Sequence, residues 1–270
     1  MKLRLALPFA AAVALFVATP ALAGYPSSMA STGDSITRAF NTCWFPYVDC
    51  PSNSWSTGTA NGTHYRQILA LNPAIRGRNY NQAVTGADMA DLNGQVQGAV
   101  ARGAEYVTIL MGANDVCASS EGSMTPTATF RAQVEQAMFT LTSGLPNAKV
   151  FVSSIPDIRQ LWSLYRYDAA ANSVWTLAGI CQSMLANSFS NLPWDVDRRA
   201  RVRQRNIDYN TQLAEVCGFF VRCRFDGNAV FNTAFVRSDI TTRDYFHPST
   251  AGQAKLAAVT WSAAAAFVGG

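Results

Sequence analysis

The sequence predicts an α/β fold with a parallel sheet covered by helices on both faces. Short apolar, β-branched runs alternate with stretches whose apolar residues recur every three or four positions. Strands separated by crossover helices read this way. Three polar motifs, at Ser35, Gly86 and Asn114, each follow one of the apolar runs closely. Ligands of open α/β sheets bind there, beyond the carboxyl ends of the strands.

Residues 28–32 read as a short strand closed by Gly33, and residues 78–83 as a second. The run Tyr-Val-Thr-Ile-Leu-Met at 106–111 is the clearest buried strand, stopped by Gly112. Residues 149–155 form another, stopped by Pro156, and 218–225 hold a short fifth. Helices are predicted over 129–142, from the spacing of Phe130, Val134, Ala137, Met138 and Leu141, and over 203–216. The Ala-rich stretch 249–267 closes the chain as a helix with Ser249 as its N-cap. Residues 51–61, rich in Ser, Thr, Asn and Gly, read as a loop.

The chain opens Met-Lys-Leu-Arg, stays apolar through 5–17 and reaches Ala21-Leu22-Ala23. A basic start, an apolar centre and an A-x-A site make a secretory signal over residues 1–23. The apolar run is too short to span a membrane comfortably, and no cysteine directly follows Ala23, so no stable membrane anchor is expected. Residues 24–270 are expected as one domain, secreted and extracellular, and as a monomer. The net charge of +4 falls to +2 without Lys2 and Arg4, and only 14% of residues are charged. This is too weak a balance for a nucleic-acid partner.

Cys43, Cys50, Cys117, Cys181, Cys217 and Cys223 make an even count behind an export signal, which reads as three disulfides. Six cysteines allow 15 pairings. Short spacing favours Cys43–Cys50 and Cys217–Cys223, which leaves Cys117–Cys181. There is no C-x-x-C pair and there are only two histidines, so neither a metal nor another cofactor is expected.

Thr32-Gly33-Asp34-Ser35-Ile36-Thr37 places a serine at a strand-to-helix turn, where unpaired N–H groups favour developing negative charge. Asp244-Tyr245-Phe246-His247-Pro248 supplies a histidine with a carboxylate three residues before it. A serine hydroxyl needs a base to take its proton and a third group to orient that base. Asn114 could donate to an oxyanion, and Gly86 could bring its backbone N–H close to a ligand. Each motif alone reads as a cap or a turn. His64 lies in the polar stretch Gly62-Thr63-His64-Tyr65 and reads as a surface or loop residue. The nucleophile-elbow pattern G-x-S-x-G fails, because Thr37 occupies its last position.

Taken in order, Gly33-Asp34-Ser35, Gly86, Gly112-Ala113-Asn114-Asp115 and Asp244-Tyr245-Phe246-His247 resemble the four blocks of the SGNH (GDSL) hydrolase superfamily. The resemblance implies a three-layer α/β/α, flavodoxin-like fold with a parallel sheet of about five strands. It implies Ser35 as nucleophile, His247 as general base and Asp244 as the carboxylate that orients it. The Ser35 and Gly86 N–H groups and the Asn114 side chain are implied as the oxyanion hole. The export signal, size and cysteines resemble secreted actinobacterial lipases, esterases and phospholipases, in which consecutive cysteines tend to pair. Some of these orient the histidine by a backbone carbonyl instead of an aspartate.

The expected activity is hydrolysis of carboxylic esters, most simply of acyl lipids. A carbohydrate acetyl esterase is the alternative within the same chemistry, and a secreted glycan- or lipid-binding module the alternative outside it. The interrupted segment 156–205 carries Trp162, Tyr165, Tyr167, Trp175 and Trp194, which could wall an acyl site. Arg198, Arg201 and Arg205, three and four apart, could form a patch for lipid phosphate or a solvated helix face.

Overall fold

A computed structural model describes residues 24–270. The signal segment 1–23 lies outside the described residues. The strands are β1 (Met29–Gly33), β2 (Asn79–Asn81), β3 (Tyr106–Leu110), β4 (Lys149–Val152) and β5 (Cys223–Phe225). They form one sheet in the order β2-β1-β3-β4-β5, with every neighbouring pair parallel. The helices are α1 (His64–Leu71), α2 (Leu92–Ala101), α3 (Ala113–Val116), α4 (Thr127–Gly144), α5 (Ile158–Tyr165), α6 (Ala169–Leu177), α7 (Gln182–Leu185), α8 (Pro193–Gly218) and α9 (Thr250–Gly269).

Alternation along the strands divides the core into two layers. Ala30, Val107, Ile109, Val150 and Val152 pack with residues of α2, α4 and α8. Their neighbours Met29, Tyr106 and Phe151 point the other way, against Tyr65 and Ile68 of α1 and Ala264 and Val268 of α9. Burial on both faces explains why the strands read as continuous apolar runs. None of the described helices is long and apolar enough to cross a membrane.

The sequence misplaced some boundaries. The helix expected over 203–216 begins at Pro193, whose ring suits a first helical turn. It runs through Gly218, so the strand expected from 218 starts only at Cys223. The Cys217–Cys223 bridge, with Cα atoms 5.3 Å apart, forces a tight return between them. Ser249 caps α9 as expected, accepting from the Gly252 N–H at 3.2 Å.

The order in which strands are added reverses at β1: β2 lies on one side of it and β3 on the other. The crevice beyond the β1 and β3 carboxyl ends is therefore the topological switch point. Gly33 lets the chain leave β1 there. Its φ is +144°, and a Cβ would lie 2.3 Å from the Leu110 carbonyl oxygen, so a larger residue would push β1 and β3 apart.

Candidate active site

Ser35 was expected to open a helix, and none forms. Hydrogen bonds from Arg38 N to Asp34 O and from Phe40 N to Ser35 O build a single irregular turn. Left-handed backbone at Ala39 (φ 51°) and Asn41 (φ 67°) then stops it. Asp34 fastens this turn through its Oδ1, which accepts from the Ile36 N–H at 2.8 Å. Burial pushes the Asp34 carboxyl up to about 6, against the Ile36 N–H and the nearby His247, which favour its charge.

His247 brings the distant end of the chain to this turn. Its Nε2 lies 2.8 Å from Ser35 Oγ, and its Nδ1 lies 2.8 Å from Asp244 Oδ2. The second Asp244 oxygen accepts from the Phe246 and His247 backbone N–H groups, each at 2.9 Å. Burial alone would raise the Asp244 carboxyl; the hydrogen bond and charge of His247, with those N–H groups, hold it below its ordinary range. Phe40 and Phe246 flank the imidazole, each with its ring centre 5.0 Å away. Hydroxyl, imidazole and carboxylate thus stand in line.

Asn41 escaped the sequence reading. Its Nδ2 donates to the same Asp244 oxygen that faces His247, and its Oδ1 accepts from the Tyr47 N–H. The left-handed backbone that asparagine tolerates aims the side chain there. The only signal in the sequence was an asparagine shortly before a cysteine-closed loop.

Gly86 and Asn114 line one cleft with Ser35 and His247, together with Thr85, Cys117, Ile180 and Cys181. Gly86 sits at the third position of a turn closed by Ala87 N to Val84 O, 3.1 Å, with φ +85°. That conformation favours glycine. Among the described residues, the Ser35 and Gly86 N–H groups donate to no protein acceptor. Asn114 spends one Nδ2 proton on Ala87 O at 2.8 Å, and its amide carries a second. Next to it, Asp115 Oδ2 accepts from the Met89 N–H at 2.9 Å. These two bonds join the Gly86 turn to the end of β3. Burial pushes the Asp115 carboxyl up to about 6.

A second cleft meets the first at His247 and Phe246. Ile36, Ile158, Leu161, Leu164, Phe235 and Ile240 line it, so its walls are almost wholly apolar. Part of segment 156–205 therefore does wall the site, but through α5 aliphatics. Of the aromatics, Trp162, Tyr165 and Trp175 are core, and only Tyr167 and Trp194 are exposed. The arginines form no free phosphate patch. Arg198 donates to the Gln182, Ser183 and Ala186 carbonyls, Arg201 pairs with Glu121, and Arg205 donates to Thr125 O.

His64 is no surface residue. It is fully buried as the first residue of α1. Thr260 Oγ1 donates to Leu256 O at 2.6 Å, so it accepts from His64 Nε2 at 2.9 Å. Tyr106 then donates its hydroxyl proton to Nδ1 at 2.9 Å. The polar look of the stretch misled because its partners come from β3 and α9. Disulfides join Cys43 to Cys50, Cys117 to Cys181 and Cys217 to Cys223.

A parallel sheet in this order, with Ser35, Gly86, Asn114 and His247 around one cleft, has the arrangement of the SGNH class of ester hydrolases. The chain belongs to the GDSL-like lipase/acylhydrolase family, whose model matches residues 31–259, and it is a carboxylic ester hydrolase. A GDSL-like lipase from Parabacteroides merdae is similar in fold, with TM-score 0.57 and 16% identity over 91% of this chain and 99% of that one. An alpha/beta hydrolase from the metagenome of Lake Arreo gives 0.56 and 16% over 93% and 100%. Phospholipase A1 from Streptomyces albidoflavus gives 0.50 and 14% over 89% and 99%. No curated protein matches the chain significantly in sequence.

Proposed function

We propose that the protein is a secreted serine hydrolase that cleaves carboxylic esters of acyl lipids through an acyl-enzyme. The observation that carries this reading is the hydrogen-bonded line from Ser35 Oγ through His247 to Asp244, at 2.8 Å on each side of the imidazole. His247 Nε2 takes the hydroxyl proton as Ser35 Oγ bonds to the ester carbonyl carbon. The carbonyl oxygen becomes an oxyanion against the Ser35 and Gly86 N–H groups and Asn114 Nδ2. His247 returns the proton to the departing alcohol, leaving acyl-Ser35. Water, deprotonated by His247, attacks the acyl carbon; as the acyl–oxygen bond breaks, His247 returns that proton to Ser35 Oγ, releasing the acid and the free serine.

The apolar cleft beside His247 supports an acyl chain as the group held. Each methylene buried there is favoured by about 0.8 kcal/mol. Three disulfides and the signal-like residues 1–23 support export.

The test combines an organophosphonate label with nitrophenyl esters of increasing chain length. The label should attach to Ser35, and Ser35→Ala should lose both labelling and turnover. Full turnover by Ser35→Ala would overturn the mechanism. A sharp preference for acetate over longer chains would overturn the lipid assignment in favour of a carbohydrate acetyl esterase.

A further inference from the structure

Trp44, Phe45, Tyr47 and Val48 are 89%, 70%, 65% and 41% exposed. All four lie in the loop closed by the Cys43–Cys50 disulfide. Single exposed apolar residues are ordinary, whereas a contiguous cluster marks a contact surface.

This loop is braced. Arg243 donates to the Asn41 and Phe45 carbonyls, both at 3.0 Å, and to the Trp44 carbonyl at 2.9 Å. Asp49 accepts from Arg38 at 2.9 Å and from the Thr85 hydroxyl. Thr85 directly precedes Gly86, and Arg243 directly precedes Asp244. The loop is therefore tied to chain segments on two sides of the site, and its apolar tip is exposed beyond these ties.

The chemistry of the tip selects its partner. Across 44–48 the only polar side-chain groups are the Trp44 indole N–H and the Tyr47 hydroxyl, and the hydroxyl already donates to Arg243 O at 3.3 Å. A sugar ring, with hydroxyls around its edge, would find one free donor here and neither a carboxylate nor an amide. Hydrocarbon needs none, and Trp and Tyr favour the boundary between hydrocarbon and water.

We propose that the Cys43–Cys50 loop is a docking element that seats the active site on a lipid–water surface. The proposal rests on the reading of the Ser35 site as one for acyl lipids. A few apolar side chains without a covalent chain give reversible attachment, as an enzyme that leaves its product requires. The disulfide and the Arg243 bonds hold the tip in shape beforehand, so little ordering is lost on binding.

Binding is measured on phosphatidylcholine vesicles with the Ser35→Ala protein, so no turnover is needed. That protein should sediment with vesicles, and adding Trp44→Ser with Phe45→Ser should lower partitioning about tenfold or more. With Ser35 intact, the same pair should cut fatty-acid release from vesicles by a similar factor. Hydrolysis of dissolved nitrophenyl acetate should stay within about twofold, because only attachment to the surface is lost. Equal vesicle binding with and without the two substitutions would overturn the proposal. Retention on an insoluble polysaccharide without vesicle binding would overturn it too. If binding follows the expected pattern while no ester is turned over, docking stands and the reading of the site as a lipid hydrolase fails.

Discussion

Asn41 donates its side-chain N–H to the Asp244 oxygen that also faces His247 Nδ1, across 203 residues of sequence. The Asp244 carboxylate is thus held from two elements, its own turn and the loop after Ser35. Its lone pairs are shared among the two backbone N–H groups, the imidazole and the amide. Such saturation fixes the plane in which the imidazole sits.

Removing this bond should slow chemistry more than binding. Asn41→Gly keeps the left-handed backbone and deletes only the side chain. We expect kcat to fall by about tenfold, from loss of one hydrogen bond to a charged group worth roughly 1.5 kcal/mol. KM should stay near its original value, because Asn41 does not line the clefts around Ser35 and His247. Steady-state kinetics on one soluble ester checks the split. An unchanged kcat would show that the Asp244 turn alone positions His247.

Asn114→Ala should remove one oxyanion donor. The expected loss is roughly 3–4 kcal/mol of transition-state stabilisation, a factor of a hundred or more in kcat. The bond to Ala87 is lost with it, so the Gly86 turn relies on Asp115 and Met89. Thermal unfolding and kinetics on the same sample separate the two effects. Near-normal kcat with a lowered Tm would make Asn114 a structural tie and not a donor.

The buried imidazole of His64 predicts a pH-dependent stability. Burial lowers it from 6.5 to about 3. Between these values the unfolded chain binds a proton that the folded chain does not, so stability falls as pH drops. The slope is about 1.4 kcal/mol per pH unit. Asp34 and Asp115 act in the opposite sense. Their carboxyls sit near 6 in the fold instead of 3.8, so their ionisation costs stability as pH rises through that window. Comparing urea midpoints of the native protein and His64→Gln between pH 4 and 7 isolates the histidine. The native advantage should shrink steadily as pH falls below 6.5. A constant difference would mean that His64 binds protons alike in the folded and the unfolded chain.

What the sequence determined by itself was everything written in neighbouring residues. The β3 run reads as a strand because its side chains are β-branched or apolar and both faces are covered. Ser35, Gly86 and Asn114 could be placed at strand ends because each follows a strand within a few residues. Asp244 and His247 were legible together because a three-residue spacing lets a carboxylate reach a ring nitrogen. Tertiary structure decided what depends on distant partners. Asn41 gains meaning only when the turn containing Asp244 folds against it. His64 looked polar and exposed until Tyr106 and Thr260 arrived from β3 and α9. Arg198, Arg201 and Arg205 had a helical spacing but no visible partners, and the packed loops supplied them. No helix followed Ser35, and the left-handed Asn41 that ends the turn is held by Arg243 and Asp244 from the chain's far end. Hydrogen bonds between elements carry no local signature, and they determine which of the legible residues can work together.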